Sequence, residues 1–256
     1  MQMHARMFGI VLGALAVAAC GGGDGDGDGG GGGAGGIGGS AGNGGTGGGE
    51  TSTVTGTVYS WEQTEGIRVA GVTVGVYGEP LSTTTDANGG FTLLNVPNGE
   101  VFFTTMADGY WGLVDYWVVP GESGGSVSLN VVPDREITRW EAALERSISA
   151  TDGAVDILYY DGAQDGETGA IDPPGDDPPF TFDLWEPVDQ TSVIADATTF
   201  GELFFTGVDP ANGSITASVT GALGVTYCEV DESQGKTYPI MPKMITIVYA
   251  WCEPAQ

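Results

Sequence analysis

The chain has 256 residues, 46 of them Gly, and carries 34 acidic residues against 7 basic ones. Nucleic-acid binding needs clustered Lys and Arg, so this balance excludes it, and it equally excludes adhesion to anionic lipid by charge. The one histidine is His4. Ser–His–Asp and Cys–His constellations and imidazole zinc sites therefore have no place in the body of the chain.

Met1 to Ala19 opens with His4 and Arg6 and runs into an apolar stretch from Phe8 to Ala19. That stretch is too short to span a bilayer and has the length of a secretory signal's apolar core. It ends Val17-Ala18-Ala19-Cys20, which resembles the bacterial lipobox. The resemblance implies that residues 1–19 are a signal peptide and that Cys20 is acylated and becomes the N-terminus. A soluble body would then be held at a membrane by lipid alone. With Gly21 next in the chain, the expected location is the cell envelope, as an outer-membrane lipoprotein. The alternative is a plain signal peptide with a coincidental Cys.

Residues 20–50 are predicted to be a disordered tether, with 20 Gly among residues 21–49 and Asp24, Asp26 and Asp28 interleaved. Such a coil spans roughly 30 Å. Without the signal, 6 basic residues face 34 acidic ones, a net charge of −28. This suits an extracytoplasmic surface.

Residues 51–133 read as a first β-sandwich. Val54, Gly56 and Val58 open a strand, and Val72, Val74 and Val76 alternate with smaller residues in the next. Asp86-Ala87-Asn88-Gly89-Gly90 supplies turn chemistry before Phe91 and Leu93, and the spacing predicts a hairpin there. Further strands are expected at Val101–Thr105, Tyr110–Val119 and Val127–Val131. Short strands at intervals near ten residues, divided by Gly, Pro and Asn, indicate a sandwich.

The order V-x-G-x-V, G-V-T-V, T-D-A-N-G-G-F-T-L-x-N-V-P-N-G, D-G-Y resembles the carboxypeptidase regulatory-like domain. It is carried by Val54, Gly56, Val58, Gly71, Val74, Thr85, Asp86, Gly90, Phe91, Val96, Pro97, Gly99 and Tyr110. The resemblance implies a transthyretin-like or carbohydrate-binding-like sandwich that acts as an accessory module without chemistry of its own.

Residues 134–149 break the β pattern. Ile137, Trp140, Leu144 and Ile148 fall at helical spacing, with Asp134 placed to cap, and predict a short linking helix whose Trp lies in the core. Residues 150–256 read as a second, divergent copy of the sandwich. Val155 and Ile157 open it, and Phe180, Phe182 and Leu184 answer Val72, Val74 and Val76. Leu203, Phe205 and Val208 then answer Phe91, Leu93 and Val96, and Ile245, Ile247 and Tyr249 answer Val127, Leu129 and Val131. The expected fold class is therefore all-β: two small transthyretin-like sandwiches joined by a short helix. In an exported chain the pair Cys228 and Cys252 reads as a disulfide.

Three kinds of site are considered. For catalysis, two carboxylates are the one option left, and a non-catalytic role is expected. For metal, Asp161, Asp165 and Asp172 stand at positions 1, 5 and 12 of an EF-hand-like run with Gly166 at position 6. The run departs from that pattern at Ala163, Thr168 and Asp172, and the competing reading is a solvated acidic loop. Residues 147–235 hold 17 acidic residues and no basic one, so Ca²⁺ is the only cofactor considered. For ligands, Trp111, Asp115 and Trp117 share one face of a strand. Exposed, they suit stacking on a polysaccharide or a surface-protein partner; covered, they are a contact between the two halves.

Overall fold

In the computed structural model, residues 50–255 are described apart from 63–65, 122–124, 161, 196–200 and 231–236. The expected signal, Cys20 and the tether lie outside the described residues. Everything described falls in one compact unit, Gly49–Gln256. No helix among the described residues is long and apolar enough to cross a membrane.

The first half holds β1 (Thr51–Ser60), β2 (Thr73–Val76), β3 (Ser82–Thr84), β4 (Gly90–Pro97), β5 (Gly99–Met106), β6 (Tyr110–Val119) and β7 (Gly125–Pro133). β1 pairs antiparallel with β4 and parallel with β7, giving one layer, β4-β1-β7. The other layer runs β3-β2-β5-β6. Val54, Val58, Val74, Phe91, Leu93, Phe103 and Leu129 fill the space between them, as their period-2 alternation requires. At Gly56 an added Cβ would meet the Val127 carbonyl and the Phe91 ring, both on the strands that flank β1 in its own layer, so the glycine of V-x-G-x-V makes room for that ring.

The Asp86–Gly90 turn does form. Asp86 Oδ1 accepts from the backbone N–H groups of Asn88 (2.7 Å) and Gly90 (2.9 Å), and Gly89 takes φ 73°. It does not close the expected hairpin. Its flanking strands belong to different layers, since β3 pairs with β2 and β4 pairs with β1. The turn carries the chain from one layer to the other.

The second half holds β8 (Gly153–Tyr160), β9 (Thr168–Asp172), β10 (Phe180–Asp183), β11 (Glu186–Val188), β12 (Gly201–Val208), β13 (Ser214–Thr220), β14 (Thr226–Val230), β15 (Tyr238–Pro239) and β16 (Met244–Pro254). β8 pairs antiparallel with β12 and parallel with β16, the same two contacts that β1 makes with β4 and β7. Against this layer lies β15-β13-β9. The strand occupying β2's place is β9, which pairs with β13 as β2 pairs with β5. The expected match of Phe180, Phe182 and Leu184 to Val72, Val74 and Val76 is therefore corrected: β10 is an outer strand on β12, and Leu184 sits in a turn at φ 60°. Cys228 and Cys252 face each other across β14 and β16 and form the expected disulfide (S–S 2.04 Å).

The two halves are joined by more than the helix. β16 pairs in parallel with β6 through Met244↔Gly112, Ile245↔Leu113 and Thr246↔Val114, so one sheet runs unbroken from β11 to β3. The first half's second layer thus continues into the second half's first layer. Phe103 and Val119 point into the first core, whereas Phe102 and Tyr116 turn the other way, with Phe102 reaching Tyr238 of β15 (ring centroids 6.2 Å).

Helix α1 (Asp134–Leu144) is shorter than the spacing predicts: Glu145 ends it at φ 53°, and Ile148 joins the same cluster from beyond its end. The N-cap is Pro133, without a side-chain bond; Asp134 is inside the helix and pairs with Lys243 (3.0 Å). Trp140 is core as expected, edge-on to Phe182 (5.2 Å) and Phe204 (5.4 Å).

Candidate functional site

β6 delivers the predicted aromatic stretch into two different surroundings. Trp111 is 3 % exposed and packs with Leu113, Val132, Ile137 and Trp140 beneath the helix. An exposed Trp111–Trp117 stacking pair is therefore not formed, because helix and seam cover one member. Trp117 is half-buried at the rim of the first core, and Asp115 lies between them, buried.

Asp115 is held by both halves. Its Oδ1 accepts from the Tyr249 hydroxyl of β16 (2.7 Å) and its Oδ2 from Trp117 Nε1 (3.2 Å). Burial pushes its carboxyl up to about 6, against the pull of those hydrogen bonds. The Tyr249 ring stands 5.7 Å from Tyr160 of β8, which stands 5.7 Å from Trp251 of β16. Trp251 is 37 % exposed and directly opposite Glu229 of β14, whose neighbour Tyr227 is 62 % exposed and donates its hydroxyl to Glu229 (3.3 Å). Tyr249, Tyr160 and Trp251 thus form a run of three rings on one face of the joined sheet, with Trp117 tied to Tyr249 through Asp115 and the most exposed rings, Trp251 and Tyr227, at the β14 end.

Two further acids share that face. Asp156, on β8 with Leu158 and Tyr160, is fully buried, and neither of its oxygens has a hydrogen-bond partner among the described residues. Burial, then the charge of Glu202 on β12, drives its carboxyl well above the ordinary range. Burial, then Asp115, raises Tyr160 and Tyr249 likewise. Sequence reading missed Asp156 because its strand, GAVDILYY, is buried on both sides and carries no alternation to mark a face.

Two acids of the EF-hand-like run, Asp165 and Asp172, are among the described residues. Asp161 lies outside the described residues. Asp165 is exposed and accepts from Ala195 N–H (2.9 Å). Residues 168–172 are extended in β9 and laddered to β13, with Asp172 opposite Thr216, so the second half of the EF-hand-like run is strand. Among the described residues, the acidic and thiol group close enough to share an ion is Glu167, Cys228 and Cys252. Its cysteines are oxidised to the disulfide and supply no thiolate. Glu167, also missed from sequence, is structural: Oε1 accepts from Gln164 N–H and the Thr226 hydroxyl, both at 2.9 Å.

No family model matches the chain. Comparison with curated proteins finds no match. Among solved structures it is similar to a type II cohesin–X-dockerin complex from Acetivibrio cellulolyticus, at 21 % identity and TM-score 0.26, over 32 % of this chain and 57 % of that one. It is also similar to the shaft pilin SpaA from Lactobacillus rhamnosus GG, at 13 % identity and TM-score 0.25, over 80 % and 98 %. A minor pilin of Streptococcus agalactiae is matched at 11 % identity and TM-score 0.24, over 80 % and 96 %. In the cohesin complex the match spans less than two thirds of the chain compared. Likenesses this distant carry no argument about function, and the β-sandwich reading rests on the strand pairings above.

Proposed function

We propose that this chain is a non-catalytic, lipid-anchored module of a bacterial envelope, presenting its aromatic–carboxylate face to a partner. The observation that carries the binding role is the run of Tyr249, Tyr160 and Trp251, open at Trp251 and continued on β14 by the exposed Tyr227 beside Glu229. Anchoring draws on Val17-Ala18-Ala19-Cys20 and on the Gly-rich residues that follow, which would hold the body clear of the headgroups. The same reading takes residues 51–133 and 150–256 as two copies of one transthyretin-like sandwich, of the carboxypeptidase regulatory-like kind. It is supported by β8 repeating the pairings of β1. Polysaccharide stacking is the second reading, favoured by the open ring of Trp251; Trp111 has no part in it.

Labelled palmitate tests the anchor. The chain should take up label and sediment with membranes, and Cys20→Ser should do neither; equal labelling of the variant would reject lipidation. Pull-downs on peptidoglycan, insoluble polysaccharides and envelope proteins, beside Trp251→Ala, test the face. A partner retained unchanged by the variant would place recognition elsewhere.

A further inference from the structure

We infer that the turn Gly221–Val225 is a lipid-contacting tip: Leu223 and Val225 dip into a zwitterionic bilayer surface, at the end of the folded body where its chain begins. The inference rests on the anchoring reading above and adds a second, non-covalent hold on the same membrane.

The turn between β13 and β14 is built to carry apolar side chains outward. The Ala222 carbonyl accepts from the N–H groups of Val225 (2.9 Å) and Thr226 (3.0 Å), and the Ala222 N–H donates to the Thr226 hydroxyl oxygen (2.9 Å). Gly224 takes φ 70°, which glycine adopts without strain. Ala255, past the end of β16, donates its N–H to the Val225 carbonyl (2.8 Å), and the Cys228–Cys252 bond staples the two strands just behind. Ala222 is buried at the root of this turn, whereas Leu223 is 101 % exposed and Val225 51 %. An exposed leucine adds nothing to the core, and a turn tied by these bonds has little left to order on entering another phase. Tyr227 of β14, opposite Glu253, and Trp251 of β16, opposite Glu229, stand behind the tip. An apolar point backed by Tyr and Trp follows the order of a membrane interface, where such rings lie at headgroup depth. A partner on their face would then be met at the membrane surface.

Topology decides which surface the tip meets. β6 and β16 run parallel, so Val119 and Pro254 lie toward the same end of the joined sheet. β14 starts beside Pro254, which sets the tip at that end. The described chain begins there too: the Glu50 carbonyl accepts from Asn98 N–H (3.0 Å), and the Ser52 hydroxyl lies 3.1 Å from the Gly121 carbonyl just past β6. A Gly-rich coil has no fixed length, and a span of roughly 30 Å lets this end stand clear of the lipid or come down onto it. The opposite end, where β6 and β16 begin, is further off by the length of β6, about 30 Å. Charge then selects the lipid. β13, β14 and β16 hold no Lys or Arg, and the acidic body is repelled by anionic headgroups. Neutral headgroups do not repel it, and apolar burial of the tip supplies the attraction.

The test uses residues 20–256 carrying Cys20→Ser and an N-terminal hexahistidine, held on phosphatidylcholine vesicles by a nickel-chelating lipid. The body is thus tethered from its natural end whether or not cells acylate Cys20. An environment-sensitive fluorophore on Leu223→Cys should shift to the blue and be quenched by brominated phosphatidylcholine. The same fluorophore on Asp108→Cys, in the turn at the opposite end, should do neither. Without the nickel lipid, Leu223→Ser should weaken sedimentation with phosphatidylcholine vesicles about tenfold. Met106→Ser, exposed at the opposite end, should change it less than about twofold. Anionic lipid added to the vesicles should weaken binding further, and salt should restore it. A Leu223 fluorophore that stays unmoved, or one that responds no more than at Asp108, would overturn the inference. A dimer lost with Leu223→Ser, with no response on vesicles, would give the tip to a second copy and also overturn it. A response at Leu223 in a chain that takes up no palmitate would keep the lipid contact and reject the covalent anchor.

Discussion

Replacing Asp115 with Asn should make the protein more stable at neutral pH and less stable in acid. The folded chain holds this carboxyl at about 6 against an ordinary 3.8, because burial penalises its charged form. A folded-state value above the unfolded one means that the native state binds the proton more tightly. The associated stability is complete below about pH 4 and is lost as pH rises through about 6. Two pH units at 1.36 kcal/mol each put the loss at about 3 kcal/mol by pH 7. Asn carries no charge to desolvate. It keeps one acceptor, for Tyr249, and its amide cannot accept from Trp117 Nε1, a loss of about 1 kcal/mol. The variant should therefore trail the parent by about 1 kcal/mol at pH 4 and lead it by about 2 kcal/mol at pH 7. Urea unfolding of both proteins between pH 4 and 8 measures this, and taking the difference cancels the other titrating acids, Asp156 and Glu167 among them. A difference that stays flat across that range would refute the reasoning.

Trp140→Ala removes the ring that Phe180, Phe182 and Phe204 surround, and should cost about 4 kcal/mol in urea unfolding; a loss below about 1 kcal/mol would mean that the helix is not part of the cooperative core. Reduction of Cys228–Cys252 frees a loop of 24 residues' separation and should cost about 3 kcal/mol, seen as a lower denaturation midpoint in reductant. An unchanged midpoint would argue against the bond. Gly112→Ala drives a methyl into the Thr105 carbonyl and against Met244 (3.2 Å) at the β6–β16 seam, and should cost about 2–3 kcal/mol. A melting temperature equal to the parent's would show that the seam is looser than described.

What the sequence made legible was local. Alternation at Val72–Val76 and Phe91–Val96, turn chemistry at Asp86–Gly90, the helical spacing of Ile137, Trp140 and Leu144, and the pairing of Cys228 with Cys252 all depend on neighbours or on short-range chemistry, and all are present. What was not legible is which strand lies beside which. β3 has three residues and no periodicity to read, and β9, TGAID, is too short and polar to be told from loop. Asp134 looked like a cap because Asp is a good one; Pro133 with its fixed φ occupies that place, and Asp134 is drawn instead to Lys243. The β6–β16 pairing joins residues 132 positions apart at Gly112 and Met244, and no local pattern encodes it.

That pairing also explains why the richest aromatic stretch misled. A strand covered on one face alternates, and its aromatic side chains can be assigned to a side. β6 borders the first core on one face and meets the Phe102–Tyr116 cluster on the other, so nearly every position from Trp111 to Tyr116 is buried. Its run of large apolar residues is what burial on both faces demands, and Trp111 is spent on it. β16 resembles β6 through its first half; Tyr249 still packs at the edge of the cluster beneath the helix, and Trp251, two residues on, is exposed. The most exposed rings of this face are therefore found where a two-sided strand runs past its cover. In this chain that place is the end of β16 with β14 beside it, so a search for the binding partner should begin at Trp251 and Tyr227, with Asp115 as the buried post that ties their face to the first half.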